Sequence, residues 1–172
     1  ALLNLDNENE YFLYSDKEIV SFDNFDNATV KIINKKGLFW HKKVLSDAYK
    51  ENVDIFVAPT SYIIPALHNP NKIKVLMTVH DLVAFLFPEN HNKKAILIEK
   101  ATLKKSLKKV KKVLSVSDNT KKDLMKNFDI KESKIEIIHN AASSVFGIIE
   151  KDQCEELREI MNLPEEFIFS VG

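Results

Sequence analysis

A chain of 172 residues, 45% hydrophobic and 29% charged, has the size and composition of a globular domain with a substantial core. Its 25 basic and 25 acidic residues cancel, so no global charge directs it to nucleic acid, and the lone Cys154 excludes an internal disulfide and suits a reducing compartment. No apolar run approaches the roughly 18 residues of a membrane span and no signal peptide is seen, so a cytoplasmic location is expected.

In chain order, ALLNLDNENE reads as the tail of a helix, and Tyr11–Tyr14 and Val30–Ile33 read as short strands. After Gly37, Trp40, Val44 and Ala48, with Leu45 and Tyr49 beside them, form a helical stripe. Val53–Ala58 is expected as a buried strand ended by Pro59, with Thr60, Ser61 and Tyr62 in the loop beyond it and Pro65 limiting any helix that follows. Val75–Val79 is almost wholly apolar, the pattern of a strand buried on both faces of a parallel sheet, and His80-Asp81 interrupts it abruptly before Pro88 closes the segment. A basic helix follows over about Lys93–Lys112, with Ile96, Leu103, Leu107 and Val110 on its apolar side. Val113–Val116 is a strand, Ser117 stands where a helix cap belongs, and Leu124, Met125 and Phe128 are expected to face the sheet from the helix DNTKKDLMKNF. Ile135–Ile138 is a strand ending at His139-Asn140, and a helix around Asp152–Met161 precedes Pro164 and the apolar run FIFSV. Strands alternating with helices predict a doubly wound α/β fold, Rossmann-like, with a parallel sheet covered by helices on both faces.

The polar residues collect at strand ends. In an open α/β sheet, ligands bind outside the carboxyl ends of the strands, and Thr60-Ser61, His80-Asp81, Ser117 and His139-Asn140 all stand there. Each has an ordinary use as well: Thr60 and Ser61 as turn formers, Asp81 and Ser117 as caps, His80 as the close of a core strand. His41, His68 and His91 stand in polar contexts and receive no role. No HExxH, cysteine cluster, GxSxG elbow or glycine-rich phosphate loop is present, so neither a metal nor a cofactor is expected.

The lysine-rich helix concentrates positive charge around a single Glu99. Lys104, Lys105, Lys108 and Lys109 are candidates for contact with an anionic membrane surface. Without interleaved aromatics to stack bases, nucleic acid is not expected as a partner. A solvated outer face is the plainer account of the same lysines.

The ordered segments VDIFVAPTSYIIP, VLMTVHDLVAFLFP, VLSVSDNTKKDL, KIEIIHNAASSVF and FIFSVG resemble the amino-terminal half of family 4 (group 1) glycosyltransferases of the GT-B fold. TVHDL ahead of VSDNTKKDL is the most telling part. The resemblance implies retaining transfer of a sugar from a nucleotide-sugar donor to a glycan, lipid-linked or small-molecule acceptor, at a cleft between two Rossmann-like domains. It casts residues 1–165 as an incomplete acceptor-side domain and 166–172 as the first strand of a donor domain not in this chain. The donor is then held mainly by that other domain, no metal is implied, and this chain alone is expected to be inactive. By the same resemblance His80 is the active-site histidine, and Asp81, Thr60, Ser61, Ser117 and Asn140 line the substrate side. Ala141-Ala142 departs from the glycine that often follows the asparagine, which puts the local turn at Asn140 in question. A non-catalytic α/β ligand-binding or interaction domain is the alternative, since fold alone does not carry function.

Overall fold

Val75, Met77 and Val79 have no exposed surface, and these alternate residues of strand β4 (Lys74–Val79) lie in the main core cluster of residues 1–139. The computed structural model describes residues 2–19, 25–90, 93–143, 146–168 and 170. His91, the side chains of Lys93 and Lys94, and Phe169, Val171 and Gly172 of the expected terminal strand lie outside the described residues. On one side β4 pairs in parallel with β3 (Ile55–Ala58), Ala58 opposite Met77. On the other it pairs with β5 (Lys112–Ser115), Met77 opposite Val113 and Val79 opposite Ser115. The last strand, β6 (Ile135–Ile137), sets Ile135 opposite Val113. The four-stranded sheet therefore runs β3-β4-β5-β6, all parallel.

Parallel pairs need crossovers, and these are short. Helix α3 (Ile63–Leu67) joins β3 to β4, α4 (Val83–Leu86) and α5 (Lys93–Lys109) join β4 to β5, and α6 (Asp118–Asn127) joins β5 to β6. Pro65 is tolerated in α3 because it falls in the first turn, where a backbone N–H has no partner within the helix. Successive right-handed crossovers that advance in one direction place their helices on the same face. Leu103 and Leu107 of α5 and Leu124 of α6 accordingly share one core cluster with Val75, Met77, Val79, Val113 and Ile135. On the opposite face Leu76 and Leu114 are half-buried, and Ile55 and Val57 are 51% and 49% exposed. Strand β3 is also the edge of its sheet and not a buried strand. On α6, Met125 is 40% exposed, because a residue one step from the buried Leu124 is turned about 100° away from the core. Phe128 does reach the core, packing edge-on against Phe85 at 5.3 Å.

The segments before β3 form a second, smaller sheet. Helix α1 (Leu2–Leu5) precedes β1 (Tyr11–Ser15), which pairs in parallel with β2 (Ala28–Ile32). Helix α2 (Gly37–Lys50) follows and buries Val44, Leu45 and Ala48 along the stripe its sequence predicts. It stops where Asn52 takes a left-handed φ of 53°, which asparagine accommodates better than most residues. Tyr14 of β1 stacks on Phe56 of β3, ring centroids 6.3 Å apart, which puts the small sheet on the β3 side of the large one. Within this unit the chain thus passes from the small sheet to β3 and then winds from β3 across to β6.

Residues 140–172 form a compact unit distinct from 1–139. It contains α7 (Lys151–Ile160), close to the helix expected at Asp152–Met161. Lys151 and Glu155 pair across one turn at 3.7 Å, and the helix closes where Asn162 takes a left-handed φ of 49° and the Leu163 N–H reaches the Arg158 carbonyl at 2.9 Å. Glu166–Ile168 and Ser170 carry no strand among the described residues.

One buried histidine ties the helical layer together. His68, at the end of α3, is only 1% exposed. Its Nδ1 lies 2.6 Å from the Pro65 carbonyl, so the proton sits on Nδ1 and the buried Nε2 carries the lone pair. From α5, the Lys109 ammonium donates to the carbonyls of Ala66 and His68. Burial, then the Lys109 charge, push the imidazole below its ordinary value. The unfolded chain therefore takes up a proton that the folded chain refuses. Stability is full above about pH 6.5 and falls as pH drops through the lowered folded value. Melting measured near pH 7.5 and near pH 5.5 should show this fall in the native chain and a smaller one in His68→Gln; an equal fall in both would assign the acid sensitivity to other groups.

Candidate functional site

The carboxyl ends of β3, β4 and β5 are linked by hydrogen bonds that converge on His80. Its Nε2 is 2.9 Å from the carbonyl of Pro59, at the end of β3. A carbonyl only accepts, so the neutral ring carries its proton on Nε2 and keeps a lone pair on Nδ1. The side chain is exposed, and that lone pair is available to a ligand. On the other side, the hydroxyl of the buried Thr120 donates to the His80 carbonyl at 3.0 Å. Thr120 is held in turn by Ser117, whose Oγ accepts the Thr120 N–H at 3.1 Å and donates to Thr120 Oγ1 at 3.0 Å. Ser115 Oγ fixes the same turn by donating to the Ser117 carbonyl at 2.8 Å. Ser117 is the cap its position predicts, and through Thr120 it also positions the histidine.

Asp81 spends one carboxylate oxygen on the Val83 N–H, at 2.9 Å, and so opens α4; the residue is exposed. At the end of β3, Thr60 is exposed and Ser61 half-buried. Ser61 Oγ accepts the Ile63 N–H at 3.2 Å and lies 3.3 Å from His41 Nε2. Since His41 Nδ1 donates to the Gly37 carbonyl at 2.9 Å, its Nε2 is the acceptor in the neutral ring and the Ser61 hydroxyl is the donor. Burial, with Glu99 and Asp81 nearby, pushes the Tyr62 phenol up to about 12, so it stays protonated at neutral pH. The Tyr62 carbonyl accepts the buried Ser106 hydroxyl at 2.8 Å, which anchors this loop to α5.

Thr60, Ser61, His80, Asp81 and Ser117 therefore stand at the neighbouring ends of β3, β4 and β5, as the sequence predicts. His139 is exposed at the end of β6. Asn140 opens the second unit, where it is exposed. Sequence reasoning missed Thr120, His41 and the Pro59 carbonyl. The spacing of Ser117 and Thr120 in a capping turn was a usable signal for the first; a backbone carbonyl leaves none.

At the carboxyl edge Thr60, His80 and Asp81 are exposed. Two concavities of about 460 and about 770 Å³ lie at the opposite, amino edge, the first beside Val53–Asp54 and Ile73–Lys74, the second beside Lys111–Lys112 and Ser133–Lys134. Among the described residues, no three His, Cys, Asp or Glu side chains stand together as a metal site would need.

The hydrogen-bond relay gives a stability test. Ser117→Ala should cost about 1 kcal/mol, the usual worth of such a cap, read as a lower urea midpoint with unchanged slope. Thr120→Val removes the donor to the His80 carbonyl and should cost about 1 to 3 kcal/mol, because a buried acceptor loses its partner. Native stability in both variants would show that the relay does not hold this edge.

Comparison with known proteins bears on this geometry. The model of Glycosyltransferase Family 4 matches residues 27–143, which include all four strands of the large sheet. The chain is 27% identical over 148 residues to the O-antigen chain mannosyltransferase RfbU of Salmonella typhimurium, a match over 84% of this chain and 40% of that protein. Among solved structures, a glycosyltransferase from Rickettsia africae aligns over 90% of this chain and 41% of its own, with 21% identity and a TM-score of 0.50. Anabaena Alr3699/HepE, solved in complex with UDP, aligns over 90% of this chain and 50% of its own, with 14% identity and a TM-score of 0.58. At those identities the two structures establish the fold, a Rossmann-like α/β arrangement with parallel strands. The chain spans about 40% of the relative's length and at most half of either solved chain.

Proposed function

The chain belongs to glycosyltransferase family 4, and from that premise we propose that it is the acceptor-side domain of an enzyme that moves a sugar, with retention, from a nucleotide-sugar donor to an acceptor. The observation that carries the reading is His80. It stands at the carboxyl end of the central strand, clamped through Nε2 and through its carbonyl, with Nδ1 left for a ligand. A ring held on both sides accepts a hydrogen bond from a hydroxyl of the sugar or acceptor at little entropic cost, and it stabilises a transition state when that bond strengthens as charge develops. Asp81, Thr60 and Ser61 offer further polar groups to hydroxyls on the same edge. Two relatives support the class of chemistry: one is an O-antigen chain mannosyltransferase, and another was solved with UDP.

An exposed edge alone does not exclude water. Transfer between two sugars needs a second wall that brings the donor and closes the site. The present chain supplies the acceptor side, and the nucleotide is held elsewhere in the complete enzyme.

Two measurements test this reading. In the intact enzyme His80→Ala should lower kcat at least about a hundredfold, the low end for a positioned acid-base group, while melting and donor affinity stay near native. Full turnover in that variant would remove His80 from the mechanism, and activity lost only in step with melting would favour a non-catalytic role for the domain. Calorimetric titration of the 172-residue chain with UDP- and GDP-sugars should show no saturation in the low micromolar range; saturation there would place the donor on this domain.

A further inference from the structure

The second concavity at the amino edge, of about 770 Å³, has the size of a small-molecule site and lies away from His80. Strand β5 begins beside it at Lys112 and runs roughly 10 Å to Ser115, whose hydroxyl holds the turn at the carboxyl edge. One side of the concavity is the end of α5, where Lys104 and Lys108 stand one turn apart and Lys111 follows the helix. The other side is the segment from Asn127 to Lys134, which adds Lys131. These four lysines are exposed, and among the described residues none of them is in an ion pair. Behind them lie Leu107, which is buried, and Phe128 and Ile130, which are half-buried.

The other lysines of this region are already engaged, which corrects one expectation. The sequence groups Lys109 with Lys104, Lys105 and Lys108 as candidates for membrane contact, but its ammonium is turned inward onto the Ala66 and His68 carbonyls. Lys134 gives its ammonium to the Leu107 carbonyl at 2.7 Å. Lys112 gives its own to the Ser133 carbonyl at 2.8 Å and the Glu136 carboxylate at 2.5 Å. Asp129 is the one carboxylate among the residues lining the concavity, which therefore keeps an excess of unmatched positive charge. Neutral polar groups stand beside that charge. Asn127 donates through Nδ2 to the Asp123 carbonyl at 2.8 Å, which leaves its Oδ1 as an acceptor, and Ser133 adds a hydroxyl.

We propose that this concavity is a binding site for a small soluble ligand, a sugar or cyclitol that carries two or more phosphates. The phosphates meet Lys104, Lys108, Lys111 and Lys131, whose ammonium groups supply positive charge and N–H donors. Ring hydroxyls donate to Asn127 Oδ1 and to Asp129, and the C–H face of the ring lies over Phe128 and Ile130. Both halves of that chemistry are needed. A bare anion uses the lysines but meets repulsion from Asp129 and leaves the apolar floor without a use. A flat anionic surface touches the exposed lysines and leaves the half-buried floor unfilled. A neutral sugar gives the lysines no partner. The proposal rests on the concavity alone and needs no premise about sugar transfer at His80.

The test is calorimetric titration of the full chain with fructose 1,6-bisphosphate, with inorganic pyrophosphate and fructose as comparators. Salt is kept low so that exposed charges are not screened, and divalent cations are left out. The bisphosphate should saturate at sub-millimolar concentration and bind at least about threefold more tightly than pyrophosphate, with no binding of fructose. Lys104→Gln combined with Lys108→Gln and Lys131→Gln should weaken the bisphosphate at least about tenfold. A control with Lys122→Gln and Lys126→Gln, exposed lysines of α6 outside the concavity, should stay within about twofold of native. Asn127→Ala with Ser133→Ala should weaken the bisphosphate about three- to tenfold and leave pyrophosphate unchanged. Amide resonances that shift on binding should belong to residues 107–112 and 127–134, and circular dichroism melting of every variant shows that the fold is kept. No saturation, equal affinity for pyrophosphate and the bisphosphate, equal losses in the two lysine sets, or shifts centred on Thr60 and His80 would each overturn the proposal. Binding to phosphatidylglycerol vesicles without binding of the bisphosphate would overturn it as well, by giving the lysines to a lipid surface.

Discussion

The parallel ladder around β4 is the constraint on which the first unit depends. A parallel strand cannot return by a tight turn, so every neighbour of β4 is reached through a helical crossover. The crossovers share one hand, and their helices therefore meet on one face and close a single core over Val75, Met77 and Val79. The carboxyl ends then fall together at one edge. Ligand-facing residues gather there because this is where the chain leaves the hydrogen-bonded ladder and its polar groups need other partners.

That need is met in a way that serves the edge. His80 bridges from its own strand to β3 through Pro59, and Thr120 returns to it from the far side. Ser117 is both the amino cap of α6 and the support for Thr120. Stability and positioning are thus coupled in the same few groups. A cap residue lies two bonds away from the histidine that faces solvent, and backbone satisfaction has fixed the imidazole tautomer before any ligand arrives.

How much of this was legible in the sequence depends on range. Val75–Val79 announces a core strand by its composition, and the buried stripe of α2 follows from spacing alone, because both patterns are local. The positions of Thr60, Ser61, His80 and Ser117 at strand ends follow from the same patterns. The edge position of β3 and the separate β1–β2 pair did not follow, because they depend on which strands become neighbours. His68 was misread for a similar reason. The flanking Leu67 and Asn69 look like a loop, and only the packing of α3 against α5 encloses the ring between them. Met125 shows the opposite error, where an apolar residue on an amphipathic helix is taken as core and proves to lie past the edge of the stripe.

The lysines show how far composition falls short of placement. Lys112 and Lys121 are matched to carboxylates, while Lys109 and Lys134 give their ammonium groups to backbone carbonyls at helix ends, where the partial negative charge of the helix favours a cation. Burial pushes both of those ammonium groups below the ordinary lysine value. The protein nevertheless keeps them where a carbonyl, left bare, would cost more. Lys104, Lys108, Lys111 and Lys131, in no ion pair among the described residues, border one concavity beside α5 and the loop before β6. A sequence with equal numbers of basic and acidic residues has no net field. Once the fold has allotted partners to some lysines and not to others, a chain with no net charge acquires a local patch with a sign.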